Sequence, residues 1–447
     1  MISLNIKKGF KLNIDGKPSL ELKKTSKPLE VAVLPSNIPY IKPRLQVQTG
    51  DKVKIGTILF EDKRNPEIKF LSPGGGKISQ IIFGEKRAVS EIIVALDEKE
   101  EYEIFETITE NDLSSSNKEK IIRALMEGGV WSFLREFPFR DIARPNFEPP
   151  IIFVNIENFD PYHPTPEVYL KNKKDLFIYG IKILKALCPN VYVYASNLCS
   201  YALEELEEIL TYKVSGVYPA NDPGVILYQI RKSSSQNKSW YIKGQDLLLV
   251  AELLKTGKYP IERIVSIGGS LSSERKHIET RLGSPIEDII AGAIIGETPA
   301  RIIVGGIFKG YKSAANSFLG LYETSVMLVS ESREKELFGF LRPGFNKPSY
   351  SRTFLSYFNK VSQKVDCNLH GEERACISCG ACASVCAVDM LPQFVFKCIL
   401  ADEIEEALSY GLLDCVECGL CTYVCPSKIE ISEILKKAKE LYYKEQT

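Results

Sequence analysis

Eight of the chain's twelve cysteines lie between Cys376 and Cys425, in two copies of one spacing. Cys376-Ile-Ser-Cys379-Gly-Ala-Cys382-Ala-Ser-Val-Cys386 is followed by Cys415-Val-Glu-Cys418-Gly-Leu-Cys421-Thr-Tyr-Val-Cys425 and Pro426. Both read C-x2-C-x2-C-x3-C, the run that holds paired cubane 4Fe–4S clusters, in which the fourth cysteine of each run ligates the other run's cluster. A cubane presents its iron corners within a few ångströms, so three thiolates must come from one tight loop. Gly380 and Gly419 let the backbone wrap the cube with its N–H groups towards the sulfurs. The fourth cysteine lies further on, where a helix is expected to start, and so faces the second cube. One cluster then takes Cys376, Cys379, Cys382 and Cys425; the other takes Cys415, Cys418, Cys421 and Cys386. Structural zinc uses pairs of C-x2–4-C and needs only four ligands. A disulfide framework belongs to small secreted chains.

At 447 residues the chain is long enough for three or four domains. Its 57 basic and 57 acidic residues balance, which gives no argument for a nucleic-acid partner. The opening Met1-Ile-Ser-Leu-Asn-Ile-Lys-Lys-Gly is too polar for a secretory signal. The greasiest stretches, such as 286–295, are short and broken by Glu287, Asp288 and Gly292. A cytoplasmic protein is expected, attached to a membrane only through partners. Cys188, Cys199, Cys367 and Cys398 read as buried thiols, the last two being near the cluster region.

The expected fold class is multidomain α+β. Residues 1–100 read as short strands at 31–34, 45–48, 57–60, 68–71, 77–83 and 91–96, separated by Gly, Pro and Asp turns. Gly50-Asp-Lys-Val-Lys-Ile-Gly56, then Ser72-Pro-Gly-Gly-Gly, resembles the half-motifs of lipoyl and biotinyl barrel-sandwich domains. Lys63 follows Gly56 too closely for the usual exposed, modified tip, so neither lipoyl nor biotin is expected. The Gly74–Gly76 run lacks a following helix pattern and reads as a turn.

Residues 101–255 alternate helices at 118–126, 176–187 and 202–210 with strands at 151–155, 191–195 and 212–215, the pattern of a parallel, Rossmann-like α/β layer. The loops 155–163 and 218–224 lie at strand ends, where such folds bind ligands. His163 reads as a loop residue rather than a base.

Residues 256–320 return to strands, with Ser284 before Pro285 opening one short helix, as in a small β-grasp (SLBB-like) module. Gly268-Gly269 and Gly305-Gly306 read as bulges or turns. Residues 321–447 pass through 334–340 and a Pro-interrupted stretch into a helical dicluster, ferredoxin-like domain. An amphipathic helix over 401–411 separates the two runs, and Ser432 is expected to cap a last helix reaching about Tyr443.

Taken together the chain resembles the NqrA family, the A subunits of the sodium-translocating NADH:quinone oxidoreductases, with a tail similar to the C subunits of the Rnf complexes. The resemblance rests on Ile6-Lys-Lys-Gly, Gly50-Asp-Lys-Val, Leu59-Phe-Glu-Asp-Lys, Gly84-Glu-Lys-Arg87 and Gly216-Val-Tyr-Pro-Ala. Trp240-Tyr-Ile-Lys-Gly-Gln-Asp, Arg281-Leu-Gly and the Arg-Thr-Phe-Leu-Ser at 352–356 extend it. NqrA proteins have mostly lost the cluster cysteines, whereas this chain keeps eight, as the Rnf proteins do.

The flavin subunit of respiratory complex I, whose core residues 101–255 resemble, carries Gly-Gly-Ala-Gly-Phe-Pro for flavin and NADH, as do the Rnf proteins. The matching stretch here, Gly128-Gly-Val-Trp-Ser-Phe-Leu-Arg-Glu-Phe-Pro138, has Trp131 and Ser132 where small residues would admit a flavin phosphate. The resemblance therefore implies a peripheral subunit on the inner face of the bacterial membrane that passes electrons through two clusters, without flavin. Its partners would be the membrane-embedded B-type and the NADH-oxidising flavin subunits, with quinone nearby. The alternative is an Rnf-like, flavin-binding protein that oxidises NADH itself.

Overall fold

The computed structural model describes residues 1–158, 160–295, 299–331, 345, 358–359, 361–368 and 372–446. The stretch 334–340 and the Arg-Thr-Phe-Leu-Ser at 352–356 lie outside them.

Alternating apolar residues build the N-terminal β module. A four-stranded sheet runs in the order Glu30–Val33, Val89–Leu96, Gly76–Phe83, Lys52–Val53, and faces a three-stranded sheet of Pro43–Leu45, Ile58–Asp62 and Asn65–Leu71. Val31 lies opposite Val94, which also pairs with Ile78, and all three are fully buried together with Leu59. Lys63 stands exposed in the turn between Ile58–Asp62 and Asn65–Leu71. Its neighbours Asp62 and Arg64 are joined in an ion pair at 2.7 Å.

The α/β layer is a seven-stranded sheet. Ile2–Asn5, Tyr212–Ser215, Val191–Ser196, Ile152–Asn155 and Trp240–Lys243 run parallel in that order, and Arg135–Glu136 and Asp141–Ile142 extend the sheet antiparallel. The first strand comes from the extreme N-terminus, across the whole intervening β module. Lys174–Leu187 buries Phe177, Ile181 and Leu184, one helical face, against Gly244–Thr256. Each such side chain contributes about 1.5–3 kcal/mol by burial.

A six-stranded sheet follows, in the order Tyr311–Ser313, Ala300–Val304, Ser325–Ser330, Glu262–Gly268, Lys276–Arg281, Leu22–Lys24. Gly268 and Gly269 mark a chain crossing: a Cβ on Gly269 would lie 2.3 Å from the Leu328 carbonyl oxygen, and one on Gly16 would lie 2.4 Å from Gly269 itself. Ser284 does not cap the short helix Ile286–Ile290, whose N-cap is Pro285. The Ser284 hydroxyl accepts from Thr280 at 3.0 Å instead, because Ser284 lies in the turn closed by its N–H on the Arg281 carbonyl.

The C-terminal helices Ala381–Val385, Pro392–Leu400, Ile404–Ser409, Leu420–Tyr423 and Ile431–Gln446 pack on the α/β layer. Val395, Ala407, Leu412 and Leu435 share one core with Val214, Val225 and Ile226. Two helices lie between the cysteine runs instead of one over 401–411: Pro392–Leu400, and the shorter Ile404–Ser409, which Gly411 follows at φ 92°. No helix among the described residues is long and apolar enough to cross a membrane.

Candidate functional site at the two cysteine loops

Gly380 and Gly419 both take left-handed backbone, φ 73° and 77°, and each opens a short helix, Ala381–Val385 and Leu420–Tyr423. The helices therefore carry the third cysteine of each run, Cys382 or Cys421. They stop before the fourth, Cys386 or Cys425, and do not start there as expected from sequence. Cys386 is extended, φ −73° and ψ 109°, at the end of its helix, which lets its thiol leave its own loop.

It opens into a narrow cavity lined by cysteines of the other run, and the electrostatics agree. Burial, and then the proximity of Cys415, pushes the Cys386 thiol up to about 11. Cys418 is pushed up to about 12 by burial, with Cys415 and Cys386 both adding to it. Cys421 lies well above the ordinary range for the same reason, with Cys415, Cys418 and Cys386 as its neighbours. Cys386 therefore stands with the three leading cysteines of the other run, and the four line one narrow cavity with Cys382. Thiols held neutral by burial must give up protons to become ligands, so loading a metal here releases protons.

Backbone and side-chain bonds also join the segments flanking the two runs. Arg374 N–H donates to the Ser427 carbonyl at 2.9 Å, and Ser427 Oγ donates to the Ala375 carbonyl at 2.9 Å. These bonds lace the chain just before Cys376 to the chain just after Cys425. Cys382 donates to Gln393 Oε1 at 3.2 Å, while Cys379 is exposed. No group of three His, Cys, Asp or Glu side chains among the described residues is gathered as for a single metal ion.

Several side chains that the sequence did not mark converge on the second loop. Lys439, only 1% exposed, donates to the Cys415 carbonyl at 2.9 Å and to Glu417 Oε1 at 2.6 Å. Lys309 Nζ donates to the Val416 carbonyl at 2.9 Å, and Arg140 Nη2 reaches the same oxygen at 3.4 Å. Both cations are anchored by the fully buried Asp222, at 2.7 and 2.6 Å. Burial alone would push the Asp222 carboxyl up, but Arg140 and Lys309 together hold it below the usual carboxylate range. Tyr218 Oη donates to the Cys418 carbonyl at 2.8 Å. The loop 218–224, flagged as a strand-end ligand loop, thus holds the cysteine loop through Tyr218 and Asp222.

Ser432 is inside Ile431–Gln446 rather than at its cap: its N–H and hydroxyl both meet Thr422 Oγ1, at 2.9 and 2.7 Å, which pins the last helix to the second run.

Elsewhere, His163 is buried, lies 2.8 Å from Thr324 Oγ1 and Asn158 Nδ2, and is pushed down to about 3, chiefly by burial. Its imidazole is thereby held neutral. Cys188 and Cys199 are buried, Cys367 and Cys398 half-buried. Trp131 fills its loop at 1% exposed, donates from Nε1 to the Ala143 carbonyl at 2.7 Å, and meets Trp240 edge to face.

Residues 4–97 match the family model for the NqrA N-terminal barrel-sandwich hybrid domain, and residues 116–259 that for the NqrA second alpha/beta domain. Residues 375–429 match a 4Fe-4S dicluster domain, which supports iron–sulfur clusters at these loops. Among solved structures, a chain of an NAD+-reducing nickel–iron hydrogenase in the H2-reduced state superposes with a TM-score of 0.39 at 12% identity over 74% of this chain and 61% of that chain, too distant to carry an argument.

The A subunit of the Na(+)-translocating NADH-quinone reductase of Neisseria meningitidis serogroup B is 32% identical over 99% of this chain and 100% of its own length. The proteins of the same name from Pasteurella multocida and Actinobacillus pleuropneumoniae are 31% and 32% identical, with the same coverage. By this full-length similarity the chain belongs to the NqrA family, the A subunits of the Na(+)-translocating NADH-quinone reductases.

Proposed function

We propose that this chain is an electron-carrying, docking subunit of a Na(+)-translocating NADH:quinone reductase, and that it holds two 4Fe–4S clusters. One is ligated by Cys376, Cys379, Cys382 and Cys425, the other by Cys415, Cys418, Cys421 and Cys386. The observation that carries this reading is the one narrow cavity that Cys386 lines with Cys415, Cys418 and Cys421, across the two runs. When bound, such clusters take up and release single electrons without making or breaking bonds. The protein's part is to fix the thiolates, bury the second group and orient backbone dipoles around it.

The electrons would pass between the NADH-oxidising flavin and the membrane-embedded B-type subunits, with this chain peripheral on the inner face of the membrane. Trp131 supports this reading over a flavin-binding one: its indole occupies the loop a flavin phosphate would need to approach. The division into modules at 1–100, 101–255, 256–320 and 321–447, with Rossmann-like and β-grasp (SLBB-like) character in the middle two, belongs to the same proposal.

Single serine variants of the anaerobically purified chain test the ligand sets. C386S and C418S are expected to perturb one and the same paramagnetic signal, and C376S and C425S the other. If C386S altered the signal shared by C376S and C379S, the crossed ligation would be wrong.

A further inference from the structure

The two cysteine loops share a spacing but not a setting. The loop Cys415–Cys418 is held from three separate parts of the chain. Lys439 reaches it from the last helix, Lys309 from the end of the six-stranded sheet, and Arg140 from the α/β layer, each on a backbone carbonyl of the loop. Lys439 pairs there with Glu417, Arg140 and Lys309 pair with Asp222, and Asp160 lies close to Lys309 as well, so these charges are buried and mutually paired. Around the loop Cys376–Cys379 the charged contacts are exposed. Lys397 donates to Ser378 Oγ at 3.2 Å and Arg374 to the Pro426 carbonyl at 3.2 Å, Ile377 is 68% exposed, and Cys379 is exposed. Water screens these last charges, whereas a charge buried beside the second loop acts at low effective dielectric.

Resting on the two-cluster reading, we propose that Lys439 is a positioning residue that raises the reduction potential of the inner cluster, the one on Cys415, Cys418, Cys421 and Cys386. The inner cluster is then the member of the pair on which an electron comes to rest, and the outer one is the surface port.

The argument is one of charge. Reduction adds one electron and hence one negative charge to a cluster already bound by four thiolates, and no bond changes. A buried ammonium whose partners are the Cys415 carbonyl and Glu417 stabilises the reduced form more than the oxidised form. Lys439 also has no room to leave, being buried on the helix that Thr422 and Ser432 pin to the second run. The electrons themselves come from NADH and go to quinone in the reaction of the family.

The test is a potentiometric titration of the full chain, purified anaerobically, followed by electron spin resonance. The wild-type chain should show two reduction steps. Lys439→Gln keeps a hydrogen-bond donor but removes the charge, and should shift the higher-potential step downwards while leaving the lower one in place. Lys439→Arg should restore it, and Lys397→Gln should leave the higher step unmoved. Overturning results are a K439Q shift in the lower step, equal shifts in both steps, or no shift with iron retained. Loss of iron from both K439Q and K439R would make Lys439 a purely structural residue and would also overturn the proposal. A wild-type chain without clusters would instead refute the two-cluster reading on which it rests, so the two failures are distinguishable.

Discussion

Asp222 is the buried anion on which the contact between the α/β layer and the second cysteine loop turns, and D222N isolates its charge. Asparagine can still cap the helix Pro223–Ile230 through the bond from Gly224 N–H, now 2.8 Å, because Asn and Asp cap about equally well. What it removes is the charge opposite Arg140 and Lys309, and it turns an NH2 towards one of these cations. Breaking a buried pair from one side costs about 3–5 kcal/mol. Arg140 and Lys309 keep the Val416 carbonyl and retain some exposure, so the lower end, about 3 kcal/mol, is the expected cost.

The effect should be local. Native-state hydrogen exchange should show amides of Pro223–Ile230 and of the loop 415–418 opening roughly a hundredfold more often, with the barrel-sandwich core unchanged. The pH dependence has a definite sign. The folded Asp222 carboxyl lies below its unfolded value, so its contribution is present above about pH 4 and lost as pH falls through the folded value. The difference between wild type and D222N should be flat from neutral pH down to about 5, and shrink below about 4. Protection within about twofold of wild type would refute the reasoning, as would a change spread evenly over the chain.

Three further outcomes follow from other parts of the molecule. Burial pushes the Glu157 carboxyl up to about 7, although Ser196 N–H donates to it, so the fold favours the protonated form and loses stability as pH rises from about 4.5 to about 7. E157Q should be more stable than wild type at pH 8 by about 1–2 kcal/mol and no more stable near pH 4, and equal melting shifts at both would contradict this. W131A should cost about 3–5 kcal/mol through the cavity it leaves, read from the thermal midpoint, and a loss under about 1 kcal/mol would mean that the indole does not pack its loop. Tyr443 Oη bridges Arg64 of the β module, at 2.9 Å, and Asp141 of the α/β layer, so Y443F should loosen the last helix by about 1 kcal/mol in hydrogen exchange and leave the sheets untouched.

The sequence was most legible where periodicity and turn residues agree. The strands of the β module and the helices Lys118–Glu127 and Lys174–Leu187 stand close to where their patterns put them. Gly244–Thr256 went unread because Leu247–Leu254 is apolar almost all round, and a helix buried on every side has no amphipathic face to detect. Ile2–Asn5 and Leu22–Lys24 were missed for a different reason. Their partners, Tyr212–Ser215 and Lys276–Arg281, are far away in the chain, and no local pattern announces a pairing of that range.

At the site, spacing alone marked the eight cysteines, but it does not reveal what surrounds them. Lys439 looks like one more surface lysine of a Lys-rich helix until the helix is laid against the Cys415 carbonyl. Lys309, Arg140 and Asp222 come from segments that only the tertiary fold brings to the loop. Ser284 and Ser432 show the limit of capping rules: one lies before its helix and the other within it, and each hydroxyl is taken by a threonine, Thr280 or Thr422.

The most direct test of the central claim is the iron and acid-labile sulfide content of the anaerobically purified chain, with electron spin resonance after dithionite reduction. Two cubanes predict about eight irons and eight sulfides per chain and a spin-coupled reduced spectrum. Zinc in place of iron, or a single metal ion per chain, would contradict the account and leave a scaffold protein that carries no electrons.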